Sequence, residues 1–588
     1  MNTLWLLLLT VGFLLIAYRF YSRFIAKSIG EEVGRKTPAV EYEDGLDYCP
    51  TKSSVVFGHH FASIAGAGPI LGPAIAIMYG VIPVWLWVII GGVFIGAVHD
   101  YVTLFVSIRE KGRSIAEIAR KSLGDFGFGL MISFIILMVL LVTSSFLVAS
   151  ATSLTSLVSL ESMKLPADQT ILKTVLKDGV LMGRIGGIAS TSVIFITLFA
   201  PFTGFLIYKK NVSLKITVPL ALAVCVASVF AGLSFPVLLD VNAWMILLSI
   251  YSLFAAGIPV WILLQPRDFI NVFILYGGII LLIAGAVGAG IAGVDIKAPA
   301  FNIAEATPKI GLIWPFLFIT VACGAISGFH ALVAGGTVSK QIKSEKAARH
   351  VGYGGMLLET LLAVGVIIAI GAGMSFDEYT GIVFPAEGVS NPILAFSLAM
   401  SGLLYKGLHV PMVIGTVFGI LMVEGFVATT LDTAVRINRY LFEELWGILF
   451  KNPPKWIRTY IFNSGLSVVL MLILAFTNAF TVIWPIFGTA NQLLAALTLI
   501  TLAAWLSANR KKNTFVVIPA VFMVVTTFFS LAFLLKKYFA DHNYILMVTD
   551  IIMIVLAIGL IMVAFKSVKT KKKNSILQKR QIEEPVVK

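Results

Sequence analysis

The sequence predicts an all-α polytopic membrane protein of about fifteen transmembrane helices, with inverted repeats around broken helices and extra peripheral spans. Three observations carry this. Of the 588 residues, 58% are hydrophobic and 13% charged, whereas a soluble domain carries about 25% charged residues; an ordinary water-soluble protein is excluded. Apolar blocks, each near the roughly 20 residues needed to cross a bilayer, recur almost from end to end. Two of those blocks are interrupted by glycine and proline.

In chain order the blocks fall near residues 4–22, 57–80, 83–108, 126–158, 188–208, 214–238, 243–264, 269–292, 311–336, 351–373, 408–431, 459–480, 482–505, 515–535 and 545–565. A shorter apolar stretch, 391–404, is expected to be re-entrant. The first block lacks a basic leader, and Arg19, Arg23 and Lys27 follow it. That polarity suits an anchor with its N-terminus outside rather than a cleaved signal peptide. Counting onward, the clusters Arg109/Lys111/Arg113/Arg120/Lys121, Lys209/Lys210/Lys215, Lys340/Lys343/Lys346/Arg349 and Arg510/Lys511/Lys512 all fall in loops on the inner side, as does the C-terminus. The domain reading is an anchor and loop at 1–56, a transporter core at 57–440 with halves at about 57–240 and 243–440, further spans at 441–565, and a solvated, disordered basic tail at 566–588.

The net charge of +14 is explained by these inner-face clusters. No basic stripe interleaved with aromatics calls for a nucleic-acid partner; the expected partners are membrane lipids and a small substrate. Cys49, Cys225 and Cys323 form no CxxC pair, so neither a disulfide framework nor a zinc site is indicated, and no metal or cofactor is expected. Oligomeric state is not legible.

A break within hydrocarbon leaves backbone groups unpaired unless they line a protected cavity or bind something. The first break runs through Gly58, His59, His60, Ser63, Gly66, Gly68 and Pro69 to Gly72 and Pro73; the second is Ala255–Pro259, containing Gly257. They lie five spans apart in spans of opposite direction, which is the pattern of inverted five-helix halves in the LeuT-type fold. A half-helix start beside a break offers free N–H groups to a carboxylate, while unwound carbonyls suit a cation; the break alone leaves both open. The plainer alternative is that glycine and proline serve only as packing residues and kinks.

Titratable side chains at membrane depth mark pathways, partners or proton relays. His59, His60, His99, Asp100, His330, Glu359 and Glu424 all fall there. His60, His330, Asp100, Glu359 and Glu424 are the proton-coupling candidates, each weighed against a structural role: a neutral imidazole satisfied by backbone, an Asp100–Arg109 ion pair, or a hydrogen bond across a helix interface.

The stretches Phe57-Gly58-His59-His60-Phe61, Gly66-Ala67-Gly68-Pro69 and Gly72-Pro73 resemble the signature of the carbon starvation protein A (CstA) family. Gln265-Pro266-Arg267-Asp268, Ser327-Gly328-Phe329-His330, Thr429-Thr430-Leu431-Asp432 and Ala490-Asn491-Gln492-Leu493 resemble its other motifs, in order along most of the chain. The resemblance implies a prokaryotic inner-membrane importer of pyruvate or of di- and tripeptides, of the amino acid–polyamine–organocation superfamily and proton-driven, with Na⁺ coupling still open. On this reading His59, His60, Ser63, Gly66, Gly68, Pro69, Gly257, Pro259 and Ser327 form the substrate site. Arg267, Thr337, Thr430, Asp432, Asn491 and Gln492 form a second tier, for which a local ion pair, helix capping or interhelical hydrogen bonding is the competing role.

Other function classes fit less well. No GxxxxGK[ST] loop is present for an ATP-driven pump, and no acidic ring or filter motif for a channel. An intramembrane hydrolase could be built only on Ser327 and His330, three residues apart on one helix face, without a GxSxG elbow. No enzymatic activity is expected.

Overall fold

The computed structural model describes residues 1–32, 34–44, 48–259 and 261–583. Among these, twelve helices are long and apolar enough to cross a membrane, and a bent pair adds a thirteenth. The first is α1 (Thr3–Ile29). The bent pair is α2 (Ser53–Ile64) and α3 (Gly68–Ala76), the latter extended by a tight turn to Tyr79, with a 48° bend between them. Next come α4 (Val81–Arg109), α5 (Ile115–Leu154), α6 (Ile185–Lys209), α7 (Leu214–Ser234), α8 (Val241–Gly257) and α9 (Leu264–Ile291). A second interrupted span is made of α10 (Ile313–Thr320) and α11 (Phe329–Gly336). Then follow α12 (Glu345–Gly373), α13 (Pro392–Leu408), α14 (Met412–Leu449), α15 (Tyr460–Thr477), α16 (Phe480–Ala508), α17 (Thr514–Ala540) and α18 (Tyr544–Glu583). Each apolar block read from the sequence overlaps one of these helices or interrupted pairs.

The loops sort onto two opposite faces. On one, the Asn2 amide donates to the Gly290 carbonyl at 3.0 Å, Ile82 N–H to Ala300 at 3.0 Å, and Ala298 N–H to Gly371 at 3.1 Å. On the other, Cys49 N–H donates to the Lys340 carbonyl at 3.1 Å, Thr51 N–H to Gln341 at 3.0 Å, and the Arg109 guanidinium reaches Gly30 and Glu345, both at 2.9 Å. This second face holds the basic clusters around Arg109 and Lys340.

The short helix α13 is anchored at both ends. Its start is held by Asn391, whose amide donates to Ser156 Oγ at 2.7 Å just beyond the end of α5. Near its end, Lys406 Nζ donates to the Ala372 carbonyl at 2.6 Å in the last turn of α12. Both contacts are with the ends of α5 and α12, while Gly415 and Gly419 on the following long helix pack against Ser401 and Ser397, so α13 runs antiparallel to the start of that helix.

The fold is mostly helical, as expected, and carries one small addition: β1 (Val158–Ser159), β2 (Thr174–Lys177) and β3 (Val180–Gly183) form an antiparallel sheet in the order β1-β3-β2. Asp178 and Gly179, both at positive φ, make the two-residue turn that joins β2 to β3. The basic run after Lys566 is not an unstructured tail through Glu583, because α18 continues through it; no proline occurs before Pro585, and Lys and Gln favour helix. Residues 584–588 of that expected tail lie outside the described residues.

A further correction concerns the second break. Gly257 and Pro259 do not face the first break. A Cβ on Gly257 would lie 2.5 Å from the Tyr460 ring, and Arg436 donates to the carbonyls of Ala255 (2.7 Å) and Ile258 (2.5 Å). That interruption is a corner between α8 and α9, tied to the basic end of α14. The partner of the first break is the extended stretch 321–328 between α10 and α11. The two interrupted spans run antiparallel. Thr51, before the first, pairs with Ile342, after the second; Tyr79, ending the first, donates its hydroxyl to the Gly311 carbonyl at 2.8 Å, before the second. An antiparallel pair of broken helices meeting at their breaks is the central feature of the LeuT-type fold.

Candidate functional site

The first break is set by local chemistry. Ala65 leaves helical geometry at ψ 56°, and Pro69, which has no N–H to lose, sits at the start of α3 where a helix donor is free anyway. The second break opens at Val321 (ψ 70°) and turns at Gly324, whose φ of +83° favours glycine. The two meet at contact distance: a Cβ on Gly68 would lie 2.5 Å from Cys323 Sγ, and one on Gly72 2.9 Å from the Thr320 carbonyl.

Unwound backbone needs partners, and α16 supplies them. Asn491 donates to the Ala322 carbonyl (3.0 Å) and Ser327 Oγ (3.1 Å), and its Oδ1 accepts from Phe329 N–H (3.0 Å). Gln492 donates to the carbonyls of Phe318 (2.5 Å) and Val321 (3.2 Å), and Trp484 to that of Thr320 (3.1 Å). The second-tier amides therefore satisfy the break itself, closer to their hydrogen-bonding role than to a ligand role.

Behind the breaks lies a fully buried line of titratable groups. His99 Nδ1 and His330 Nδ1 each stand 2.8 Å from an oxygen of Asp100, one on Oδ1 and the other on Oδ2. His330 Nε2 lies 3.3 Å from Glu359 Oε2, while Glu359 Oε1 accepts from Gly324 N–H at 3.2 Å. Asp100 on α4, His330 on α11 and Glu359 on α12 are thus one unit, tied to the turn of the second break. In the tautomer that gives its Nδ1 proton to Asp100, His330 turns Nε2 as an acceptor toward Glu359; among the described residues neither Nε2 nor Oε2 makes a hydrogen bond. Such a gap suits a proton or another cation. Asp100 is not paired with Arg109, which binds Glu345 instead.

Two cavities adjoin the breaks. A chamber of about 20 Å³ is lined by Ser63, Gly66, Gly68, Cys323, Ser327 and Asn491, among others. Ser63, Phe329 and Thr430 also line a neighbouring vestibule of about 310 Å³, bounded by His59, Asp268, Asn271, Thr337 and Thr433 among others. The vestibule lies on the side of the breaks toward the basic face, since α2 begins at that face and α11 ends there. The chamber has room for about one water, so in this conformation only the vestibule can take a small carboxylate or a peptide.

The predicted site residues divide accordingly. Gly66, Gly68 and Ser327 line the chamber, His59 and Thr337 the vestibule, and Ser63 and Thr430 both. Pro69 is buried behind them near Gly324. His60 faces away from both cavities: it packs beside Gly355 on α12, and neither ring nitrogen has a hydrogen-bond partner among the described residues. Glu424 is remote, accepting from Ser150 Oγ at 2.5 Å across the α5–α14 interface. Arg267 is buried and pairs with Asp432 at 2.8 Å, donates to Tyr251 and, at 3.1 Å, to Thr429, which in turn donates to Asp268 at 2.8 Å. Asp432 is a partner of Arg267 rather than a helix cap, and it joins α14 to α9. Ser327 is bonded to Asn491, not to His330, so the hydrolase pairing is absent.

The sequence reading missed Cys323, Gly324 and the extended 321–328 segment. The run Ala322-Cys323-Gly324-Ala325 with Gly328 was the available signal, but it contains no proline and sits inside an apolar block.

The family described as carbon starvation protein CstA matches residues 2–390 and 385–530. The chain belongs to the CstA family. A relative named peptide transporter CstA from Bacillus subtilis (strain 168) is 32% identical, over 96% of this chain and 97% of its own. Another, named pyruvate/proton symporter BtsT from Escherichia coli (strain K12), is 29% identical over 90% and 81%. Among solved structures, a mutant manganese transporter of Eremococcus coleocola matches with a TM-score of 0.43 at 11% identity, covering 88% of this chain and 96% of its own. MhsT in complex with L-phenylalanine matches with a TM-score of 0.41 at 13% identity, covering 87% and 99%. As a CstA-family chain with these apolar helices, the protein is a multi-span membrane protein.

Proposed function

We propose that this protein imports pyruvate or short peptides by proton symport across a prokaryotic cytoplasmic membrane, with alternating access around the paired breaks. The observation that carries the reading is the buried Asp100–His330–Glu359 line, which is hydrogen-bonded to Gly324 at the turn of the second break. A proton held between His330 and Glu359 neutralises part of a buried charge that costs free energy at membrane depth. Losing that proton shifts the balance between two arrangements of the 321–328 segment, and so couples the gradient to the chamber.

The names of the relatives support both substrate classes, and the vestibule has room for either. With the basic face taken as cytoplasmic by the positive-inside rule, the N-terminus is outside, the C-terminus is inside and the vestibule opens inward. The antiparallel pair supports inverted halves beginning near Ser53 and Ile313, instead of at 57 and 243. No catalytic role is assigned.

The test is uptake of labelled pyruvate into proteoliposomes under an inward proton gradient without Na⁺, with di- and tripeptides as competitors. Accumulation that collapses with a protonophore supports the reading. Uptake that requires Na⁺ and ignores the proton gradient overturns it.

A further inference from the structure

Beyond transport, we propose that Cys323, His330 and Glu359 form a binding site for a transition-metal dication of the zinc class. Their candidate ligand atoms all lie within 4.8 Å of one another, and all three residues are buried. In a tetrahedral zinc site with bonds of about 2.0–2.3 Å, ligand atoms stand roughly 3.3–3.8 Å apart. The 3.3 Å between His330 Nε2 and Glu359 Oε2 already meets that; Cys323 Sγ must draw in by at most about an ångström to complete the face.

Three further observations point to a ligand. His330 Nε2 and Glu359 Oε2 are buried and face each other at 3.3 Å, with no hydrogen bond to either atom among the described residues; a cation shared between them offsets that burial. The imidazole is oriented by a carboxylate on its other nitrogen, Asp100 at 2.8 Å, itself steadied by His99; this outer arrangement is what fixes a metal-binding histidine. Cys323 lines the chamber, which shares Ser63, Phe329 and Thr430 with the wall of the vestibule, so the site lies beside the larger cavity.

The donor set selects the metal. One sulfur, one imidazole nitrogen and one carboxylate oxygen suit zinc or cobalt, and disfavour Mg²⁺ and Ca²⁺, which prefer all-oxygen shells. A thiolate and a carboxylate balance a dication, so the bound ion and its three ligands carry no net charge in a low-dielectric interior. Binding takes the place of the proton between His330 and Glu359 and releases the thiol proton, so the site is a point at which a metal would arrest proton coupling.

The test uses the purified full-length protein carrying Cys49→Ser and Cys225→Ser, which leaves Cys323 as the remaining cysteine. Titration with Co²⁺ should saturate at one equivalent, with a thiolate-to-cobalt charge-transfer band in the near ultraviolet that Zn²⁺ abolishes. Adding Cys323→Ser should remove the band, and Glu359→Gln should weaken binding at least tenfold. Should Cys323→Ser misfold, X-ray absorption of the Zn²⁺-loaded protein decides: one sulfur at about 2.3 Å with nitrogen and oxygen near 2.0 Å supports the site. Absence of saturable binding, a band that survives Cys323→Ser, or a first shell without sulfur overturns the proposal. None of these readouts depends on transport.

Discussion

Gly68 and Cys323 hold the two broken spans in contact: a Cβ on Gly68 would lie 2.5 Å from the cysteine sulfur and 2.7 Å from its Cβ. Because the atoms on the cysteine side belong to a short side chain on unwound backbone, the clash cannot be relieved by a rotamer change alone. Gly68→Ala should therefore force the breaks apart, at a cost of about 1–3 kcal/mol for overpacking, and lower uptake sharply. Adding Cys323→Gly should restore room and part of the activity. Equal uptake by Gly68→Ala and the unsubstituted protein in proteoliposomes would contradict the contact.

Arg267 and Asp432 form a buried ion pair between α9 and α14. Removing one partner strands the other charge, so Asp432→Asn should destabilise by about 3–5 kcal/mol. The double variant Arg267→Met/Asp432→Leu should melt higher than the single one. A thermal melt in detergent checks this; a double variant no more stable than the single would show that the pair is not the dominant contact.

His60 and His330 are separated by their surroundings rather than by their sequence context. Among the described residues His60 has no hydrogen-bond partner, whereas His330 is held by Asp100 and faces Glu359. His60→Leu should keep most gradient-driven accumulation, and His330→Asn should abolish it. Loss in both to the same extent, measured as the steady-state accumulation ratio, would return His60 to the coupling step.

The apolar blocks made the spans legible, because bilayer-length runs are set by composition alone. The first break was legible too, since Gly66, Gly68 and Pro69 stand together in one stretch. Its partner was not. Ala255–Pro259 has the glycine and proline that usually mark a break, yet it forms a corner against Tyr460 and Arg436. The true partner is unwound without proline, by Gly324 at positive φ and by amides from a helix more than 150 residues further on. Such long-range satisfaction leaves little local trace. Likewise, nothing near Asp100 in the chain announces His330 or Glu359; only folding brings α4, α11 and α12 together.

Glu359→Gln isolates the proton proposed to sit between His330 and Glu359. Two rates from the same proteoliposomes are compared: pyruvate counterflow at equal pH on both sides, and pyruvate accumulation under an inward proton gradient. Glu359→Gln, which keeps the shape and the bond to Gly324 N–H but cannot cycle a proton, should retain counterflow and lose accumulation. Accumulation that persists at the unsubstituted level would place the coupling proton elsewhere.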